Sequence, residues 1–273
     1  MAKTVGVIAL KGGVGKTTTV SNLGAILATY FKKKVLLVDA NFNTPNLALH
    51  YGIYELNKTL HDVLLKRANI KEAIYEIDSN LSVLPSSYIS RKINPFLLKN
   101  ELKKIKDSYD IVLIDSSPSL NEEILATMVA SDELLVITSA DYPSLSATLR
   151  ATRLAKQKKT PIKGLLINKV RKKRFELSIS DIEKASGVPV VAVLPDDIKI
   201  LEALSLTSPA ALVFPRSSAV KQYKKLAAFI LGKDIKEKES IINRLKRIFS
   251  KEIPKDVVNR EILLHGVSRE ESK

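Results

Sequence analysis

A glycine-rich stretch that ends in a lysine and three threonines lies near the start of the chain. It reads Leu-Lys-Gly-Gly-Val-Gly-Lys-Thr-Thr-Thr over residues 10–19. Closely spaced glycines let backbone N–H groups converge on an anion without clashes from Cβ atoms. Lys16 can reach the β- and γ-phosphates of a nucleotide, and the hydroxyl of Thr17 can ligate Mg²⁺. The stretch therefore predicts a phosphate-binding loop.

The segments on either side of this stretch have the patterns that such a loop requires. Thr4–Leu10 is a short apolar run, which is typical of a buried parallel strand. After the loop, Val20, Leu23, Ile26 and Leu27 recur at helical spacing. The strand fixes the position of the loop, and the N-terminus of the helix adds positive potential where phosphates would lie.

Lys11 is the residue at which the stretch departs from the ordinary phosphate-loop pattern. The pattern G-x-x-x-x-G-K-[ST] begins with a glycine, where this chain has Leu10. A lysine at position 11 cannot easily fold back onto the phosphates of its own loop, but it can reach a nucleotide that a facing subunit holds. The segment Lys-Gly-Gly-Val-Gly-Lys-Thr-Thr resembles the deviant Walker A motif of the MinD/ParA ATPases.

The resemblance to the MinD/ParA family extends from about Lys3 to Gly232, with its motifs in the family's order. It implies ATP and Mg²⁺ as ligands and a homodimer as the ATP-bound form. It also implies that the nucleotide is held by seven residues of the loop, namely Gly12, Gly13, Val14, Gly15, Lys16, Thr17 and Thr18.

Two later apolar strands each end in an aspartate. The first, over residues 34–39, ends in Asp39, and the second, over residues 110–115, ends in Asp115. The carboxyl ends of parallel strands are where open α/β sheets bind ligands. The second strand resembles a Walker B strand, which implies that Asp115 holds Mg²⁺ through a water molecule. Thr17, Asp39 and Asp115 are therefore the predicted metal-site residues.

Asn41 occupies a position where the family usually has a second aspartate. In the family that aspartate positions and polarises the attacking water, whereas an asparagine can orient a water but cannot accept a proton. The resemblance assigns catalysis to Lys11, Lys16, Asp39 and position 41. The chain is therefore expected to bind ATP as an ATPase of this family, with its rate of turnover left open by the asparagine.

Asn168 ends another apolar strand, over residues 162–168. Its amide offers a donor and an acceptor, which suits the edge of adenine. The segment 168–170 matches the family's base-reading segment, and Pro195-Asp196 resembles the segment whose backbone closes on the base. The alternative for Asn168 is an ordinary turn-forming asparagine.

Six apolar strands that alternate with helices predict an α/β fold, a predominantly parallel sheet with helices on both faces. A further short strand is predicted at Ser82–Pro85, and residues 59–66, 70–77 and 93–105 are predicted as helices. Residues 1–232 are expected to form the nucleotide-binding domain. Residues 233–273 are expected to form a charged linker and a helical tail.

The tail contains one apolar stripe at helical spacing, made of Ile241, Ile242, Leu245, Ile248 and Phe249. Arginines and lysines occupy the remaining faces of the predicted helix, which suits a helix lying in an anionic membrane surface. The segment 240–251 resembles the membrane-targeting helix of MinD. The alternative is that this helix and a second one suggested beyond it dock on the domain or pair with each other. If segment 240–251 attaches to the membrane, the protein is expected to be cytoplasmic and peripheral at the inner face of the cell membrane.

The composition favours polyanionic partners and excludes sites that depend on cysteine. The chain of 273 residues has a formal net charge of +15, which favours association with polyanions such as nucleic acid or an anionic membrane. Cysteine is absent, so disulfides, thiolate metal sites and iron–sulfur clusters are excluded. No apolar run approaches the ~20 residues of a spanning helix, and no signal-peptide pattern is present.

Three functions are consistent with these patterns. The first is a MinD-like ATPase switch that positions or regulates other machinery, such as a cell-division site, through an unidentified protein partner. The second is a ParA-like partition ATPase, with the basic cluster Arg171–Arg174 as a contact for nucleic acid. The third is a nucleotide-binding scaffold that scarcely hydrolyses ATP because of Asn41.

Overall fold

An eight-stranded sheet lies at the centre of the protein, in the order β3-β4-β2-β5-β1-β6-β7-β8. The structure is a computed structural model, and it describes residues 2–89 and 92–233. The strands are β1 (Lys3–Ile8), β2 (Val35–Ala40), β3 (Tyr75–Asp78), β4 (Leu81–Leu84), β5 (Ile111–Ser116), β6 (Glu133–Ser139), β7 (Ile162–Val170) and β8 (Val190–Pro195).

Nine α-helices connect and cover the strands within these described residues. They are α1 (Lys16–Thr29), α2 (Leu60–Leu64), α3 (Leu98–Lys103), α4 (Glu122–Ala130), α5 (Tyr142–Gln157), α6 (Ile179–Ser186), α7 (Ile198–Ser205), α8 (Ala210–Val213) and α9 (Ser218–Ile230). Short 3₁₀ turns also occur, among them Ala48–Tyr51, Ile70–Ala73 and Pro95–Leu97.

Seven of the eight strands are parallel, and β1 lies between β5 and β6. The chain passes from β1 to β2 on one side and later from β5 to β6 on the other, so the strand order reverses beside β1 and the loop after β1 lies at the crevice where such sheets bind ligands. The register of β2 and β5 pairs Asp39 with Asp115. The predicted parallel α/β sheet is confirmed, and the two strand-ending aspartates are neighbours.

The edge strand β3 corrects the sequence-based prediction of a helix over residues 70–77. Only Ile70–Ala73 is helical, as a 3₁₀ turn, and β3 then pairs antiparallel with β4 through Tyr75–Val83 and Glu76–Ser82. The exposed edge of β4 would otherwise leave backbone N–H and C=O groups unpaired. Pairing within this short hairpin outweighs the helical spacing of the apolar residues.

Both faces of the sheet are covered by helices, as predicted. Successive residues of each strand face opposite sides, so Leu37 packs in a core beneath α1 and α9 while Leu36 packs beneath α2 and α3. A third cluster lies beneath α4, α5 and α6 and includes Ile124 and Leu145. This packing holds the ends of the strands, and the loops that follow them, in fixed positions.

Helix α9 runs from one end of the sheet to the other. It begins where the hydroxyl of Ser218 donates a 2.7 Å hydrogen bond to Asp197, just after β8. It ends near the far end of α1, where the ammonium of Lys233 lies 5.6 Å from the ring centroid of Phe31. Thirteen residues of helix correspond to about 20 Å. The described chain therefore ends at the opposite end of the sheet from the loop after β1.

The predicted tail, with its segment 240–251, lies outside the described residues. In the described part of the chain, no helix is both long enough and apolar enough to cross a membrane. The boundary at residue 232 falls just after the end of α9 at Ile230.

Candidate nucleotide-binding site

A cleft of about 400 Å³ opens at the carboxyl ends of the strands, beside the loop after β1. Six of the seven predicted loop residues line it, namely Gly12, Gly13, Gly15, Lys16, Thr17 and Thr18. At the other end the cleft is lined by Asn168, Pro195 and Asp196, the residues predicted to hold the base. The fold therefore brings the two predicted halves of a nucleotide site into one cavity.

Two glycines of the loop have backbone angles that other residues rarely adopt. Gly13 has φ 73° and Gly15 has φ 98°. A Cβ atom on Gly15 would also collide with the side-chain amide of Asn168. Val14 between them is buried, and its carbonyl accepts a 2.8 Å hydrogen bond from the Asn168 amide. This hydrogen bond joins the phosphate loop to the end of β7 that carries Asn168.

Lys16 is the first residue of α1 and is buried although it carries a charge. Burial lowers the pKa of Lys16, and the negative charge of Asp115 raises it by a smaller amount. Burying an ammonium is costly unless negative charge lies close to it. A bound phosphate chain would relieve that cost, so Lys16 favours an anionic ligand in the cleft.

Asp115 provides an oxygen suited to a metal site. The hydroxyl of Thr17 donates a 2.6 Å hydrogen bond to Oδ2 of Asp115. The other oxygen, Oδ1, is buried and has no hydrogen-bond partner among the described residues. Hard cations such as Mg²⁺ prefer hydroxyl, carboxylate and water oxygens. The residues present therefore fit Mg²⁺, with Thr17 and Asp115 as the groups that would hold it.

Asp39 organises the loop that follows β2. Its Oδ1 accepts the N–H of Asn41 at 3.1 Å, and its Oδ2 accepts those of Asn46 and Leu47, each at 3.0 Å. Burial first, and then the charge of Asp115, raise the pKa of Asp39 despite these hydrogen bonds. The direct task of Asp39 in the structure is to shape this loop, and its role at the metal stays a prediction.

The aspartate pair predicts an unusual response of stability to pH. Because the folded state raises the pKa of both carboxyls, ionising them destabilises the fold, and stability falls as pH rises above about 4. Asp115→Asn removes one charge and can still accept the Thr17 hydroxyl. At pH 8 it should raise the unfolding free energy of the ligand-free protein by about 2 kcal/mol, or Tm by about 4–8 °C.

Thermal unfolding with and without Mg²⁺ and nucleotide tests this prediction. The gain of Asp115→Asn should disappear near pH 4, where both carboxyls of the wild type are protonated. Mg²⁺ should increase the stabilisation of the wild type by nucleotide but not that of the variant. A variant less stable than the wild type at pH 8 would show that the two charges do not oppose folding.

Asn41 lines the cleft, but its amide is engaged with Thr44. Nδ2 of Asn41 donates to the Thr44 carbonyl at 2.7 Å and contacts the Thr44 hydroxyl at 3.0 Å. The family aspartate could not donate either bond. The asparagine therefore closes the loop on itself, a constraint that the sequence pattern did not reveal.

Lys11 does not line the cleft that the rest of its loop forms. Its ammonium lies 3.0 Å from Oδ1 of Asp141 and 2.8 Å from the hydroxyl of Ser144, at the start of α5. The lysine and Asp141 side chains are 40% and 42% exposed. The lysine therefore lies outside the cleft that its own loop lines, and its reach toward a facing subunit stays a prediction.

At the base end, Asn168 and Asp196 are held mainly by protein contacts. Oδ1 of Asn168 accepts the N–H of Lys169 at 2.9 Å, and the ammonium of Lys169 donates to the Gly13 carbonyl at 2.8 Å. Asp196 forms a 2.6 Å ion pair with Arg171. Pro195 and Asp196 line the cleft, and their contact with a base stays a prediction. The contact of Asn168 with adenine stays a prediction, since its observed bonds brace the phosphate loop.

Several residues of the site were not identified from the sequence. They are Thr44 and His50 in the cleft wall, Tyr223 from α9, and Asp141 and Ser144 around Lys11. Burial lowers the pKa of His50 to about 4, so this imidazole is neutral at pH 7. These residues come from separate segments, and their local spacing gives no signal of a shared cavity.

A strand, a glycine-rich loop and a helix, with two acid-ending strands beside them, define a nucleotide-binding protein of the P-loop class. Comparisons with known proteins agree with this class. Residues 2–165, more than half of the chain, match the family described as an AAA domain.

Similar proteins cover nearly the whole chain. An uncharacterized ATP-binding protein of Methanocaldococcus jannaschii is 33% identical over 92% of this chain and 98% of its own length. The cell division ATPase MinD of Pyrococcus furiosus superposes with a TM-score of 0.80, at 31% identity over 85% of this chain and 99% of that chain. MinD of Pyrococcus horikoshii, solved with Mg-ADP, gives 0.79 at 29% identity, over 84% and 96%. The chain belongs to the MinD/ParA family of P-loop ATPases.

Proposed function

We propose that the protein is an ATP-dependent switch of the MinD type. It binds Mg²⁺ and ATP in the cleft, dimerises through the face that carries Lys11, and attaches to the inner face of the cell membrane. There it positions or regulates other machinery through a protein partner. The Mg-ADP complex of the Pyrococcus horikoshii relative supports the nucleotide part of the proposal.

The position of Lys11 is the observation that carries this proposal. Its ammonium cannot serve the cleft of its own chain while it is held by Asp141 and Ser144. An exposed ion pair is worth only ~0.2–1 kcal/mol, so a nearby phosphate of a second subunit can displace Asp141 at little cost. A charge-assisted contact with phosphate is stronger than that pair. The geometry therefore favours a site completed by two copies of the chain.

Within the cleft, the described residues divide the tasks of binding and turnover. The loop glycines and Lys16 bind the phosphates, and Thr17 with Asp115 would hold Mg²⁺, which supplies charge neutralisation at the phosphates when bound. Asn41 can orient a water but accepts no proton from it. We infer slow hydrolysis, so the ATP-bound form is long-lived.

The tail provides the proposed attachment. One amphipathic segment binds an anionic membrane weakly, and a dimer that presents two binds far better because the second attachment becomes intramolecular. ATP would thereby control how long the protein stays on the membrane, because the ATP-bound dimer presents two tails and the monomer presents one. The net charge of +15 supports an anionic partner surface.

Vesicle sedimentation tests the proposal, with phosphate release measured in the same samples. Anionic vesicles should carry down the wild type with Mg²⁺-ATP, and much less of it with Mg²⁺-ADP. Ile242→Glu places a charge on the apolar stripe and should reduce the bound fraction about tenfold or more. Asn243→Glu adds the same charge off the stripe and is the matched control. Equal binding of these two variants would contradict attachment through the tail.

Binding to DNA is the second candidate function, and one loop favours it. The carboxylate of Glu176 accepts the N–H groups of Arg171 and Lys173 at 2.8 and 3.0 Å and so holds a turn. Phe175 on this turn is 74% exposed beside the basic residues, and an exposed aromatic among cations suits nucleic acid. Replacing the vesicles with duplex DNA separates the candidates, because DNA binding would be ATP-dependent and would weaken steeply with salt.

A further inference from the structure

Glu123 is a buried acid that the nucleotide site described above does not use. It lies in the first turn of α4 and is only 9% exposed. Its Oε1 accepts a hydrogen bond from the side-chain amide of Asn43, in the loop that follows β2. Its Oε2 is buried without a hydrogen-bond partner among the described residues. Burying a carboxylate with one oxygen unpaired costs free energy of folding, which suggests that Glu123 has a role other than stability.

The same residue is bound to the loop that follows β5. Asn121 caps α4 and accepts the N–H of Glu123 at 3.1 Å, and its amide lies 3.5 Å from the hydroxyl of Ser117. Burial raises the pKa of the Glu123 carboxyl, and nearby polar groups of the two loops, those of Ser117 and Phe42 among them, lower it by smaller amounts. Glu123 therefore contacts the loop after β2 and the loop after β5 together.

Both of these loops reach the phosphate end of the cleft. Asn41 and Thr44 line it from the loop after β2, and Pro118 lines it from the loop after β5. Pro118 also lies close to the phosphate loop, since a Cβ on Gly12 would be 4.0 Å from its ring. A terminal phosphate at this end of the cleft would contact both loops. Glu123, which does not line the cleft, connects the same two loops.

We propose that Glu123 is a positioning residue that couples the two loops, so that a γ-phosphate engaged by one loop also orders the other. The inference rests on the proposed function, because it requires ATP to be the ligand. It assigns to Glu123 a part of the discrimination between ATP and ADP. ADP lacks the terminal phosphate and gains nothing from the coupling.

A simple helix-end role does not account for these contacts. An acid in the first turn of a helix is favoured by the helix dipole, and the neighbouring Glu122 already meets that condition at an exposed position. Glu122 has no comparable burial, and the Asn43 amide bonds to Glu123 instead. Glu122 is therefore a matched control for Glu123.

Titration of the full chain with Mg²⁺-ADP and with a slowly hydrolysed ATP analogue tests the proposal. Glu123→Ala should weaken binding of the ATP analogue about tenfold and leave ADP within about twofold. Asn43→Ala should give the same selective loss, and the double variant should lose little more, because both remove one connection. Glu123→Gln keeps an oxygen acceptor for Asn43 and should retain most of the discrimination. Glu122→Ala should change neither affinity.

The outcomes separate this inference from the proposed function. An unchanged ratio of ATP to ADP affinity in both Glu123→Ala and Asn43→Ala would overturn the coupling. Equal losses for both nucleotides, with a lower Tm, would also overturn it, since they indicate a structural role alone. A wild type that binds neither nucleotide would overturn the proposed function itself. A selective loss that appears in both single variants supports the coupling.

Discussion

Asn41→Asp should accelerate ATP hydrolysis about 100-fold, the range that a positioned proton acceptor contributes to catalysis. The wild-type side chain lines the cleft and can orient water, but an amide does not take up its proton. An aspartate at this position supplies the missing acceptor without changing the size of the side chain. Phosphate release at saturating Mg²⁺-ATP, with anionic vesicles present, measures the effect.

The contact with Thr44 gives this substitution a second consequence. The Asn41 amide donates to the Thr44 carbonyl at 2.7 Å, and a carboxylate would be repelled by the same carbonyl. The new side chain should therefore turn toward the cleft. Thr44→Ala removes the hydroxyl contact without adding an acid, and its hydrolysis should match the wild type. A wild type that already hydrolyses ATP at the rate of Asn41→Asp would show that position 41 does not limit turnover.

Lys11→Ala should abolish the ATP-dependent dimer while preserving ATP binding. Lys11 lies outside the cleft of its own chain, so affinity for ATP should stay within about threefold, whereas loss of a charge-assisted contact across subunits should weaken the dimer about 30-fold or more. Sedimentation velocity with Mg²⁺-ATP measures the dimer, and titration of fluorescent ATP measures the affinity.

Two controls make this result specific to the position of the lysine. Lys33→Ala removes another lysine from an ion pair, with Asp110, and should leave the dimer intact. Lys16→Ala removes the lysine that lines the cleft and should lose ATP binding and the dimer together. If Lys11→Ala weakened ATP binding as much as Lys16→Ala, its ammonium would belong to its own site.

The phosphate loop and the strand-ending acids were predictable because their chemistry lies in local sequence. Glycine spacing fixes the turn, and each aliphatic run fixes where a strand ends. The roles of Glu123 and Asp141 were not predictable in this way. Each meets a partner far along the chain, Asn43 and Lys11 respectively, and only the stacking of loops at one sheet edge brings them together.

The errors in the predicted fold have similar causes. Residues 70–77 have helical spacing, but the unpaired edge of β4 recruits Tyr75–Asp78 as a strand. In the segment 93–105, which the sequence predicts as one amphipathic helix, Phe96 is 40% exposed while Leu98 is buried. A 3₁₀ turn at Pro95–Leu97 shifts the face that the following helix presents. Backbone pairing and turn geometry thus decided what side-chain periodicity alone could not.

The course of α9 separates the nucleotide cleft from the segment that follows the helix. The helix starts at the cleft and delivers the chain to the far end of the sheet, about 20 Å away. The chain leaves α9 at a point far from the nucleotide cleft. Among the described residues, none at that end of the sheet lines the cleft. If the segment that follows α9 attaches the protein to a membrane, as proposed, changes in it would leave the residues that line the cleft unaltered. The nucleotide site and the end of α9 therefore lie at opposite ends of the sheet.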